Sequence, residues 1–314
     1  MARNDYVYAV ARIRVLEKSL LSDSFIEQLV NTADVAAIKR LLTEKGWEED
    51  LSLEEEKIRE TVSSLGASPD TFDILNLPES YHNLKAGIKD AASERRHTGA
   101  YYEGVEPSAD RIEKILDEKN WAALPEHMRK AAEETYEVFL HTLDGQLCDV
   151  MIDKACLEAV RSLGKASKEE VIRDYAETTV AVSDIKIAAR CALTKKPKDF
   201  VKRAIAPCDT LDTDRLINAA CESPEKLMEY LALTPYKEAG EALGASFSEF
   251  ERWCDNAMIG AMKPQKVNPF SVGPLFAYVI GRRNEIKTVR IILTGKENGL
   301  SNEAIRERVR QMYG

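Results

Sequence analysis

Apolar residues recur along this chain at three- and four-residue intervals, the spacing of one face of an α-helix. Val10, Ile13, Leu16 and Leu20 form such a face, and Asp5 can cap the helix that carries it. Ser24-Phe25-Ile26-Glu27 has the form of a capping box, in which serine and glutamate each satisfy an unpaired amide of the first turn. Ser52-Leu53-Glu54-Glu55, Ser167-Lys168-Glu169-Glu170 and Ser246-Phe247-Ser248-Glu249 repeat that form. Ser68-Pro69 and Ser223-Pro224 place a capping serine before a proline at the first helical position. Gly46, Gly66, Gly164, Gly244 and Gly295 are expected to end helices. The most strand-like run, Thr178-Thr179-Val180-Ala181-Val182, lies inside a long helical pattern and reads as helix. The expected fold class is all-α.

Glu126 to Leu163 contains no proline and only Gly145, so the pattern predicts one continuous helix on the order of 57 Å long. A second long segment, Ser167 to Leu193, follows after a short turn.

The chain is also self-similar. Asn83-Leu84-Lys85 and Asp184-Ile185-Lys186 are 101 positions apart, and each has an acid ten residues earlier, Asp73 and Asp174. Thr288-Val289-Arg290 follows 104 positions later. Each triplet reads small polar, branched apolar, basic, near the end of a long helical segment. Asp34 to Trp47 resembles Ser223 to Tyr236 at an offset of 189, and Arg111 to Trp121 has a related pattern. These spacings predict three similar helical domains: 1–104, 105–206 and 207–314.

Composition narrows the function. A net charge of −9 excludes the basic footprint of a general nucleic-acid binder. No leading apolar stretch resembles a secretory signal, and the longest charge-free stretch in the last third, Val267 to Gly281, is interrupted by two prolines and two glycines. Six cysteines without a C-x-x-C pair read as reduced core thiols of a cytoplasmic protein. There is no phosphate loop, no dinucleotide fingerprint, no nucleophile elbow, and no histidine pair at metal-ligand spacing among His82, His97, His127 and His141. No catalytic, cofactor or metal residue is therefore named. The acidic runs Glu48-Glu49-Asp50 and Glu54-Glu55-Glu56 read as a solvated helix start or as a docking patch for a basic partner. Lys195-Lys196-Pro197-Lys198 reads as compensation of a helix C-terminus or as a contact for acidic headgroups or a partner.

Pro269 to Lys296 is expected to form one long helix, apolar in its first half, with Ile286, Val289 and Leu293 on one face and Arg290 beside that stripe. Arg290 is expected to be structural, its charge answered by a carboxylate or by several carbonyls. Pro274, Tyr278, Arg282, Arg283, Glu285, Ile286, Thr288, Val289, Arg290, Ile292, Gly295 and Lys296 of this stretch resemble the signature helix of the C subunit of the A-type/V-type ATP synthases, known as the d subunit in the vacuolar ATPase. Tyr6 to Arg14 resembles that family's opening, and Asn83-Leu84-Lys85 its first-domain copy of the signature. Thr288 stands where the family usually has Asn.

The resemblance implies three helical domains around a pseudo-threefold axis, forming a funnel. It implies a non-catalytic rotor subunit, peripheral on the cytoplasmic face of a membrane and present once per complex. Its implied partners are the D and F subunits of the central shaft and the membrane proteolipid ring, through which any membrane contact is indirect. Arg282, Arg283, Glu285, Thr288, Val289, Arg290, Asn83, Lys85, Asp184 and Lys186 are the signature or interface candidates. Two rival readings are a cytosolic helical scaffold unrelated to a motor and an all-α enzyme whose acids converge only in space. The 101-residue spacing exceeds the roughly 34–47-residue periods of common α-solenoids.

Overall fold

The computed structural model describes residues 6–65, 71–91 and 101–314. Among them there is no β-strand, and the fold is all-α. In chain order the helices are α1 (Val7–Leu16), α2 (Asp23–Asn31), α3 (Val35–Glu44), α4 (Leu51–Ser64), α5 (Leu77–Ala91) and α6 (Ala109–Glu118). There follow α7 (Glu126–Thr142), α8 (Gly145–Ala166), α9 (Glu170–Thr194), α10 (Lys198–Ala204) and α11 (Thr213–Glu222). The last are α12 (Pro224–Leu231), α13 (Lys237–Ala245), α14 (Phe247–Met262), α15 (Gly273–Glu297) and α16 (Asn302–Arg306). Thr178 to Val182 is helical, within α9.

Caps explain most boundaries. Ser246 accepts from the Glu249 amide and Ser223 from that of Lys226, with Pro224 opening α12, as the sequence predicts. Elsewhere the cap lies off the expected position. Ser22, not Ser24, caps α2, and Asp50, not Ser52, caps α4 by accepting from the Ser52 amide. Ser167 accepts from Glu169 in a turn that precedes α9. Gly46 takes the left-handed conformation, φ +81°, just after α3. Gly164, Gly244 and Gly295 instead lie within α8, α13 and α15. Asp5, Gly66 and Ser68-Pro69 fall outside the described residues.

The continuous helix expected over Glu126–Leu163 is two helices. Leu143 turns to φ 52°, and the Asp144 carboxylate caps α8 by accepting from the amides of Gln146 and Leu147. Asp144-Gly145 is the sequence signal for this break: an acceptor at the cap, with glycine opening the next helix. The break lets α7 and α8 pack against each other.

The chain divides into two compact units, each built from separated segments. Met1–Thr71, Ser167–Thr178 and Glu238–Gly314 form one, and Phe72–Ala166 and Thr179–Lys237 form the other. In the first unit α15 is the centre. It is buried on nearly every side from Gly273 to Arg282, as a helix apolar all round should be, and it contacts α1, α2, α3, α4, α14 and α16. Gly295 lets α16 approach closely, since a Cβ there would stand 2.8 Å from Ile305 Cγ1. Tyr313, fully buried, packs on Gly281 in the same way. In the second unit α5 packs on α6, α7 and α8, around a core that includes Tyr81, Leu84, Ile88, Ile112 and Ile152. Tyr81 donates its hydroxyl to the His127 carbonyl at 2.9 Å.

Candidate functional site

The apolar first half of the signature helix is buried, and so are two of its charged residues, Arg282 and Glu285. Arg282 and Glu285 follow the apolar first half of α15, three residues apart and so on one face. The Arg282 guanidinium donates to Glu285 at 2.6 Å and also to Glu54 of α4. Its Cζ lies over the Trp47 ring, 4.6 Å from the centroid. Glu285 accepts from the Leu21 amide at 2.7 Å, at the join of α1 and α2. Glu54 accepts from the Glu48 amide at 2.8 Å and from Lys57 at 3.0 Å. One ionic cluster thus ties together the α1–α2 turn, the end of α3, α4 and α15.

Glu54 departs from the solvated helix start that its acidic run suggests. Its side chain is 1% exposed, because it faces Arg282 rather than water. Glu48 and Glu55 of the same acidic runs do reach solvent. The cluster brings two carboxylates to one buried guanidinium, and the half-exposed Lys57 adds a second positive charge beside Glu54. Burial accordingly pushes the Glu285 carboxyl up to about 7, against the pull of Arg282 and the Leu21 amide; the Glu54 charge adds to the rise.

Arg290 meets the expected carboxylate, Glu55 at 3.3 Å, but in solvent: its side chain is 57% exposed. The buried arginine of the signature is Arg282. A face count cannot distinguish them, because α15 buries several faces at once. Arg283 is half-buried and Val289 fully buried.

The three triplets lie at similar distances from the ends of their helices. Asn83, Asp184 and Thr288 stand eight, ten and nine residues before the last residue of their helices. In each triplet the polar and branched residues are buried, whereas Lys85 and Lys186 are partly exposed and Arg290 is exposed. Two of the buried polar residues clasp the chain that returns after the helix. Asn83 accepts from the Tyr102 amide at 2.8 Å and donates to the Tyr102 carbonyl at 2.9 Å. Asp184 accepts from the Ala206 amide at 3.0 Å. The Thr288 hydroxyl has no hydrogen-bond partner among the described residues. Lys85 pairs with Asp153 at 2.7 Å.

Five of the six thiols are buried, Cys221 is exposed, and none is in a disulfide. Lys196 of the basic run donates to Gln146 and lies over Phe200, and Lys198 donates to Asn218. Among the described residues no group of three or more His, Cys, Asp or Glu could hold a metal ion. No described helix is long and apolar enough to cross a membrane.

The buried ionic clamp thus sits on α15, the helix that also carries the third triplet. Residues 9–308 match the ATP synthase (C/AC39) subunit family, and the chain belongs to it. It is 21% identical to the C subunit of the V-type sodium ATPase of Enterococcus hirae, over 96% of this chain and 97% of that protein. It is 22% identical to the C subunit of the V-type ATP synthase of Thermus thermophilus, over 98% of each. A shorter match, 46% over 43 residues, links it to the C subunit of the A-type ATP synthase of Methanosarcina barkeri, covering 14% of this chain and 12% of that protein.

Proposed function

We propose that this protein is a non-catalytic rotor subunit of a V-type/A-type ATPase, one copy per complex, at the cytoplasmic face of a membrane. It seats a shaft made of the D and F subunits on the membrane proteolipid ring and so couples ATP hydrolysis or synthesis to transport of protons or sodium ions. The observation that carries this reading is the family match over residues 9–308, with nearly the full length of two C-type relatives covered. The fold supplies what such a part needs. An adaptor that carries torque must not yield internally, and close-packed helices cross-linked by buried ion pairs resist deformation. The Arg282 cluster joins segments more than 200 residues apart in the chain.

On the same reading the chain is three repeats, 1–104, 105–206 and 207–314, around a pseudo-threefold axis. The matching burial of the three triplets supports it. Superposing the three segments in an experimental structure should align Lys85, Lys186 and Arg290; placement on unrelated elements would remove the repeat.

Affinity purification of the tagged protein from solubilised membranes tests membership of the complex. Shaft and ring subunits should co-purify. Recovery of the chain without any motor subunit would favour the unrelated helical scaffold.

A further inference from the structure

The last turns of α15, α16 and the segment after it enclose a recess of about 450 Å³ that the buried clamp does not use. Lys287, Arg290 and Arg308 line it, and no carboxylate does. In a chain of net charge −9 this is a local reversal of sign. Its neutralisation is incomplete. Lys287 reaches Asp255 at 3.0 Å, but that one carboxylate also serves Arg310. Arg290 has a single 3.3 Å contact with Glu55, and both side chains stand largely in water, where such a pair holds weakly. The Arg308 guanidinium has no acceptor among the described residues. Three cations, Lys287, Arg290 and the neighbouring Arg310, thus share two carboxylates, and Arg308 has none. The floor is apolar, made by Ile291, Leu300 and Ile305, and Ile305 reaches it because residue 295 is glycine.

We infer that this recess docks an acidic segment of a partner protein, with carboxylates on Arg290 and Arg308 and an apolar side chain on the floor between them. Charge complementarity selects the partner. Arginine binds carboxylates through parallel N–H bonds, and a rim of incompletely neutralised cations around an apolar floor matches an acidic helix or strand with one apolar anchor. The incoming carboxylate takes the place of Glu55, whose bond to Arg290 is long and exposed. The inference rests on the proposed membership of a larger motor assembly, and it adds the surface and the chemistry of one contact.

The test uses the assembled complex with Asn298, on the wall of the recess, replaced by a photo-crosslinking benzoylphenylalanine. Irradiation followed by mass spectrometry should map the crosslink to a partner peptide carrying at least two Asp or Glu within about one helical turn. The double variant Arg290→Glu/Arg308→Glu should cut the yield at least tenfold. Both residues are exposed and the Arg290–Glu55 pair is solvent-screened, so the variant should still melt cooperatively with only a small loss of thermal stability. Lys263→Glu, a cation elsewhere in the same unit, should leave the yield unchanged. A crosslink to a basic or uncharged segment or to lipid, an unchanged yield in the double variant, or no crosslink in an assembled complex would each overturn the inference and leave the rotor reading standing. A crosslink to an acidic segment of a protein outside any rotary complex would keep the recess and remove the rotor reading.

Discussion

Arg282 and Glu54 are 228 residues apart in sequence and form a buried ion pair that fastens the signature helix α15 to α4. Removing one partner of a buried pair leaves the other charge desolvated and unanswered. Arg282→Ala strands two carboxylates, Glu54 and Glu285, and also empties the space over Trp47. It should cost about 3–5 kcal/mol of stability in urea unfolding. Arg290→Ala, eight residues along the same helix, should cost under about 1 kcal/mol, because its pair with Glu55 is solvent-screened. Equal losses would mean that burial does not separate the two arginines.

Glu285 predicts a pH dependence of definite sign. Its carboxyl is raised from 4.5 to about 7, chiefly by burial, so between those values the folded protein holds a proton that the unfolded chain has released. The stabilisation linked to that proton is fully present below pH 4.5 and is lost as pH rises through about 7, to the extent of about 3 kcal/mol. Glu285→Gln keeps an acceptor for the Leu21 amide and cannot titrate. The difference in unfolding free energy between parent and variant should therefore move in the variant's favour from pH 5 to pH 8. A difference independent of pH would show that Glu285 stays ionised throughout.

Asn83 should act as a clasp on the returning chain. Asn83→Ala leaves both backbone groups of Tyr102 without their buried partner and should cost about 1–3 kcal/mol. Amide exchange at Tyr102 should accelerate while that of α8 stays slow. Unchanged exchange at Tyr102 would show that the segment is held by other contacts.

The helical character of the chain is legible in its apolar spacing, and the caps at Ser223 and Ser246 stand where local chemistry puts them. Local patterns do not resolve competition between neighbouring acceptors. Ser22 and Ser24, or Asp50 and Ser52, are equally good caps until tertiary packing sets where the chain turns. The break at Leu143–Asp144 is written as Asp144-Gly145, but the apolar period continues across it and masks the stop. The signature residues are legible as a motif. Their roles are not, because the partner of Arg282 lies at the other end of the chain, within an acidic run that by itself reads as solvated. The third triplet differs in the structure too: its Thr288 hydroxyl makes no clasp of the kind that Asn83 and Asp184 make.

The most direct test of the central claim is ATP hydrolysis and ion uptake by vesicles reconstituted with the motor complex, with and without this protein. On the proposed reading the chemistry of hydrolysis lies in other subunits, so the soluble motor should still hydrolyse ATP when the protein is absent. ATP-driven ion uptake should vanish, because the shaft then has no seat on the ring, and adding the purified protein back should restore it. Undiminished uptake in its absence would contradict the coupling role.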